Sequence, residues 1–106
     1  MLTPAEIAEY GERHVESYLV AQGYRCRCSR PHHGASDIEA RGEDSNLYVH
    51  VMTTRGDHLF PDLTTSDRGR VVTHAMSLDC DAWLAQVRIG PNGELAGDVG
   101  WQQLNH

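Results

Sequence analysis

The order of apolar and polar residues along the chain predicts two helices and four strands. A capping box and a proline at the first helical position begin the first helix at Thr-Pro-Ala-Glu, residues 3–6, and Gly23 is its expected end. The second helix is predicted at 66–78. Period-two alternation predicts strands at 24–29, 35–41, 47–54 and 82–89. Residues 30–34 are interpreted as a break after the first strand, and a tail anchored by Trp101 follows the order α-β-β-β-α-β.

The same patterns predict which side chains share a face. In the strand at 47–54, Tyr48, His50 and Met52 lie on one face and the valines between them on the other, because side chains alternate along a strand. The apolar positions of the first helix and of the strand at 47–54 place Tyr18, Leu19 and Val51 in the core. Gly11 lies in the apolar stripe of the helix, where glycine costs ~1 kcal/mol. The expected compensation is a close approach of the helix to the sheet.

Length and composition place limits on the class of protein. A chain of 106 residues corresponds to one domain, 1–106, and lacks any run of about 18 apolar residues that could cross a membrane. Its start does not have the layout of a signal peptide, so the cytoplasm is the expected compartment. The formal charge of −6 does not suit a general nucleic-acid binder, which needs a positive surface. All nine basic residues are arginine, and the chain contains no lysine.

The three cysteines cannot all pair within one chain, and Cys26 and Cys28 are two apart on one predicted strand, a spacing that disfavours a disulfide. We interpret them as reduced, half-buried thiols. A zinc site with His32 and His33 is the alternative, although no Cys-x-x-Cys pair supports it.

Three segments resemble the PD-(D/E)XK nuclease superfamily, and within it the small group related to archaeal Holliday-junction resolvases. They are GERHVESYLVAQGY at 11–24, GASDIEA at 34–40 and VHVMTTR at 49–55. The resemblance implies an α/β, restriction-endonuclease-like fold with a mixed central sheet, and a homodimer. It also implies that Asp37 is the metal-binding aspartate and that Glu12 is the glutamate that the first helix contributes.

Two positions depart from the family pattern. His50 stands where the family has its glutamate, and Met52 stands where it has its lysine. In such nucleases the carboxylates bind Mg²⁺ and the lysine stabilises charge in the transition state. Histidine suits Zn²⁺, Mn²⁺ or Ni²⁺ better than Mg²⁺, methionine carries no charge, and arginine is a poor proton-transfer group. The candidate catalytic set is therefore a vestigial or variant one of Glu12, Asp37 and His50, with Asp37 and His50 as the candidate metal ligands.

Three hypotheses on function follow. The first is a catalytically inactive protein that binds nucleic acid or a protein partner and needs no cofactor. The second is an endonuclease with a variant site at Asp37 and His50, dependent on a divalent metal such as Mg²⁺ or Mn²⁺. The third is a partner-binding or inhibitory protein unrelated to nucleic acid. Ordinary structural roles are also open, namely a hydrogen-bonded carboxylate for Asp37, a half-buried histidine for His50 and a surface charge for Glu12.

Overall fold

The computed structural model describes residues 2–32 and 35–105, and for 30–32 the backbone alone. The strands are β1 (Arg25–His32), β2 (Ala35–Arg41), β3 (Asn46–Arg55), β4 (Asp81–Ile89) and β5 (Gly100–Gln103), and the helices are α1 (Pro4–Ala21) and α2 (Thr65–Ser77). They form one sheet in the order β1-β2-β3-β4-β5. Neighbouring strands are antiparallel except for β3 and β4, which are parallel and connected through α2. The sheet is therefore mixed, as expected from the sequence.

Helix α1 begins and ends where its sequence predicts. Thr3 accepts a hydrogen bond from the Glu6 backbone, and the Glu6 side chain accepts one from the Thr3 backbone, at 3.2 and 3.0 Å. Gly23 follows the helix with a φ of 97°. A methyl group at Gly11 would lie 1.7 Å from Thr53 Oγ1 of β3. The expected close approach of helix and sheet is thus confirmed.

The two helices cover opposite faces of the sheet. Val15 and Leu19 of α1 pack on Ile38, Val49 and Val51, and we call this side the α1 face. The other side, the α2 face, has a second cluster of buried residues, which consists of Tyr48, Val71, Ala75, Cys80, Ala82, Leu84 and Leu104. The side chains of β3 point alternately to the α1 face and the α2 face, as predicted. No helix within the described residues is long and apolar enough to cross a membrane.

Two expectations are wrong. The first strand does not end at residue 29, because β1 continues to His32 with a shift in register between Ser29 and His32. Pro31 falls in this irregular stretch of an edge strand, where a residue without an N–H is tolerated. Tyr18 is not a core residue, since half of its surface is exposed, whereas Leu19 and Val51 are buried as predicted. Tyr18 lies beside the buried stripe of α1, and its ring packs against Trp101.

Candidate functional site

Asp37 and His50 lie side by side on the α2 face. Asp37 of β2 is directly opposite His50 of β3, and residues directly opposite each other in an antiparallel pair share a face. The His50 Nδ1 and Asp37 Oδ1 atoms are 2.7 Å apart. The prediction that these two residues occupy neighbouring strands and one face is confirmed.

The Asp37 carboxylate accepts three hydrogen bonds from side chains. Oδ1 accepts from His50 Nδ1, and Oδ2 accepts from the Tyr48 hydroxyl and from Arg70 Nη1, each at 2.7 Å. An ionised carboxylate only accepts hydrogen bonds, so the proton of this contact resides on His50 Nδ1. Asp37 and His50 are each 1% exposed. We call these four residues the Asp37 cluster.

The cluster keeps Asp37 ionised despite its burial. Burial raises the pKa of the carboxyl group, but the hydrogen bonds from His50, Arg70 and Tyr48 outweigh it and bring the pKa from 3.8 to about 2. Burial, together with the hydrogen bond to Asp37, raises the pKa of Tyr48 in turn. A buried anion is costly unless it is paired and hydrogen-bonded. Here Arg70 supplies the compensating charge.

Arg70 connects the sheet to α2. Its neighbour Val71 is buried against the sheet, and the long side chain of Arg70, 36% exposed, extends from the flank of the helix to Asp37. The Arg70 guanidinium also lies 4.0 Å from the Asp67 carboxylate. Alternation along β3 placed Tyr48 on its correct face, but Tyr48 and Arg70 were not predicted as partners of Asp37. The only signal for Arg70 was its position next to the apolar stripe of the second helix.

Glu12 is buried as expected but lies on the other side of the sheet. It is 7% exposed and belongs to α1, which packs on the α1 face. The pKa of the Cys28 thiol is raised to about 12, first by burial and then by the charge of the Glu12 carboxylate. Cys28 is opposite Ile38, on the α1 face. The structure therefore brings together two of the three candidate catalytic residues, and the sheet separates the third from them.

Met52 fills the position of the family's lysine with an apolar side chain. It is partly buried and packs against the cluster of core residues beneath α2. A thioether there contributes packing and supplies neither charge nor a proton. The chemistry that the lysine provides in the family has no replacement at this position.

The donor set of the Asp37 cluster does not fit Mg²⁺. Mg²⁺ requires oxygen ligands in near-octahedral geometry, whereas both oxygens of Asp37 are engaged by protein donors. Among the side chains that the structure describes, at 2–29 and 35–105, no group of three or more histidine, cysteine, aspartate or glutamate residues is arranged to hold a metal ion. For the alternative zinc site, Cys26 and Cys28 are half-buried, but His33 and the side chain of His32 lie outside the described part.

Beside the Asp37 cluster, the α2 face of β1 and β2 carries Arg25 and Arg27, which are exposed, and Arg41, which is half-buried. Helix α2 packs on β3 and β4 and leaves this part of the sheet uncovered in the described structure. Arg25 is directly opposite Arg41, and Arg27 is directly opposite Glu39. Glu39 forms its ion pair with Arg41, at 2.7 Å. We call Arg25, Arg27 and Arg41 the arginine face. Like charges directly opposite each other destabilise a sheet, and the ion pair with Glu39 offsets the repulsion between Arg25 and Arg41.

Comparison with known proteins identifies the fold. No family model and no curated protein matches the chain. A solved structure is similar: Hjc, a Holliday junction resolvase from the archaeal hyperthermophile Archaeoglobus fulgidus. The TM-score is 0.64, the match covers 92% of this chain and 72% of that chain, and 16% of the residues are identical. The chain therefore has the restriction-endonuclease-like fold that its resemblance to the PD-(D/E)XK nuclease superfamily implied.

Proposed function

We propose that this protein is a catalytically inactive relative of the nucleases that share its fold, and that it binds the phosphate backbone of nucleic acid through the arginine face. The observation that carries the proposal is the closed Asp37 cluster. The carboxylate that would bind metal in an active nuclease is 1% exposed and is neutralised by Arg70. An internal cation thus takes the electrostatic role of the metal ion.

Catalysis at this site would require the cluster to open. A metal ion could reach Asp37 only after Arg70 or His50 had left, and either departure removes a 2.7 Å hydrogen bond from a buried anion. Because Arg70 is 36% exposed, this cost lies below the ~3–5 kcal/mol that is typical of a fully buried ion pair. The lysine that would stabilise the transition state is also missing, and loss of one such group typically lowers a rate ~10²–10³-fold. These costs favour the inactive protein over the variant, metal-dependent endonuclease.

The distribution of charge supports binding of an anion despite the net charge of −6. Arg25 and Arg27 are exposed on an edge strand. On the same side of the sheet, the charge of Arg41 is paired with Glu39 and that of Arg70 with Asp37. Helix α1, on the other side, carries acidic residues at Glu6, Glu9 and Glu16. The surplus positive charge beside the Asp37 cluster is therefore that of Arg25 and Arg27. Phosphate contacts from arginine provide affinity without sequence specificity.

Binding is tested by fluorescence anisotropy with labelled duplex DNA, a four-way junction and single-stranded DNA, all in EDTA. The double variant Arg25→Gln/Arg27→Gln is expected to bind at least tenfold more weakly. Its plot of log affinity against log salt should become shallower by about 0.9 for each lost phosphate contact. Arg13→Gln is the matched control, because Arg13 is exposed on α1 and pairs with Glu9.

Two results would contradict the nucleic-acid part of the proposal. One is the absence of salt-dependent binding by the wild-type protein. The other is equal weakening by Arg13→Gln, which would show that the arginine face has no special role. Either result would favour the alternative of a partner-binding or inhibitory protein unrelated to nucleic acid.

A further inference from the structure

An aromatic groove lies on the α1 face, away from the arginine face and the Asp37 cluster. Its volume is about 350 Å³. None of the residues that line it carries a charge; they are Tyr18, Leu19, Gln22, Tyr24, Leu47, Trp83 and Trp101. The rings of Tyr18 and Trp101 are 5.6 Å apart, and those of Trp83 and Trp101 are 6.4 Å apart and nearly perpendicular. The groove thus offers an apolar site open at the surface.

Two side chains of the groove differ from those of an ordinary packed core. Tyr18 leaves half of its surface exposed although its ring packs on Trp101. The Trp83 Nε1 atom is buried and has no hydrogen-bond partner within the described residues. Buried tryptophan N–H groups usually find an acceptor. Because Trp83 Nε1 is itself buried, it reaches an acceptor only if the side chain moves, so the exposed Tyr18 ring is the feature of the groove that is open to a ligand.

The outer edge of β5 has backbone groups that could pair with an extended segment. The Leu104 N–H donates to the Ala82 carbonyl at 2.8 Å, and Gln102 is opposite Leu84. Hydrogen-bonded residues alternate along an antiparallel strand, so the N–H and C=O groups of Trp101 and Gln103 point away from β4. In the part of the chain that the structure describes, no residue pairs with this outer edge. An open edge of this kind is a template for another strand.

We infer that β5 binds an extended segment of another protein as a sixth strand, with an apolar or aromatic side chain of that segment in the groove. The residue of the added strand opposite Trp101 would share its face and contact the rings of Trp101 and Tyr18. Main-chain hydrogen bonds to Trp101 and Gln103 would give affinity, and the groove would select the side chain. This inference uses a different face from the proposed nucleic-acid surface and stands independently of it.

The chemistry of the groove and the open edge of β5 favour a peptide segment over other occupants. The uncharged lining offers no cation to phosphate, which argues against nucleic acid. A small molecule would leave the outward backbone groups of β5 unpaired. Two copies of β5 would pair over only four residues per strand. Such a short pairing is small for a stable dimer interface, which buries roughly 1,200 Å² or more of surface. A flexible segment that combines strand pairing with one anchored side chain fits a short edge better.

The experiment begins with selection of random ten-residue peptides displayed on phage, with the wild-type protein as bait and Trp101→Ala in the counter-selection. We expect the enriched peptides to alternate apolar and polar residues. A labelled copy of the leading peptide is then titrated by anisotropy against the wild type and two variants. Gln103→Pro, which removes an outward N–H, should weaken binding at least tenfold. Gln102→Ala, whose backbone faces β4, should change it less than twofold.

Strand pairing has a second test that does not depend on the fold of a variant. Methylation of alternate amide nitrogens of the peptide in one register should abolish binding, and methylation in the other register should leave it nearly unchanged. The chain has two tryptophans, both in the groove, so unlabelled peptide should also shift the tryptophan emission. Circular dichroism of each variant confirms its fold.

Three results would overturn the inference. The first is that no peptide is enriched against Trp101→Ala. The second is that both methylated peptides bind equally well, which would exclude strand addition. The third is a dimer of the free protein, seen by sedimentation, that Gln103→Pro dissociates, because a second copy would then be the occupant.

Discussion

Replacement of Asp37 by asparagine tests the energetics of the Asp37 cluster. The pKa of Asp37 falls from 3.8 to about 2 in the folded protein. At about 1.36 kcal/mol per pKa unit, this difference corresponds to a stabilisation of about 2 kcal/mol. Because the folded-state pKa is the lower one, the stabilisation is fully present above pH 4 and is lost as the pH falls toward 2. The free energy of unfolding of Asp37→Asn at pH 7 should therefore be at least about 2 kcal/mol lower than that of the wild type.

The assay is urea unfolding followed by circular dichroism between pH 7 and pH 2. The gap in unfolding free energy between wild type and Asp37→Asn should narrow as the pH falls below 4. Asp98→Asn, at an exposed position, is the control and should leave the curve unchanged. A double-mutant cycle with Arg70→Met should give a coupling energy of at least ~1 kcal/mol. Parallel curves for wild type and Asp37→Asn, or no coupling to Arg70, would refute the account of a closed ion pair.

Further predictions concern the packing of α1 on the sheet. Leu19→Ala and Val51→Ala should each lower the unfolding free energy by about 2–4 kcal/mol, through lost burial and a residual cavity. Tyr18→Ala should lower it by about 1 kcal/mol or less, because half of Tyr18 is exposed. Equal urea midpoints for all three variants would contradict this ranking. Gly11→Ala should destabilise by about 1–3 kcal/mol, since the contact with Thr53 outweighs the better helix propensity of alanine. A rise in melting temperature for Gly11→Ala would disprove the close contact.

Local signals in the sequence were sufficient to predict most of the helices and strands. The capping box at Thr3 and the glycine at position 23 have direct local causes, so the bounds of α1 were predictable. Alternation along β3 was equally informative and placed Tyr48, His50 and Met52 on one face. The continuation of β1 to His32 was not predictable, because an edge strand tolerates a proline that would end a central one.

The candidate site was only partly predictable, because its assembly depends on tertiary packing. Helical periodicity indicated that Glu12 points toward the sheet, but it cannot tell which face of the sheet the helix covers. Arg70 is 33 residues from Asp37 in sequence, and its reach depends on where α2 crosses the sheet. The homodimer implied by the family resemblance stays a prediction.

We propose that the Asp37 cluster is a closed ion pair in the place of a nuclease metal site. Its most direct test is incubation of the wild-type protein with supercoiled plasmid and with a four-way junction, in Mg²⁺ and separately in Mn²⁺, beside Asp37→Ala. The account predicts no cleavage that depends on protein concentration in either metal. Nicking that increases with wild-type protein and disappears in Asp37→Ala would contradict it and would establish a variant metal site at Asp37 and His50.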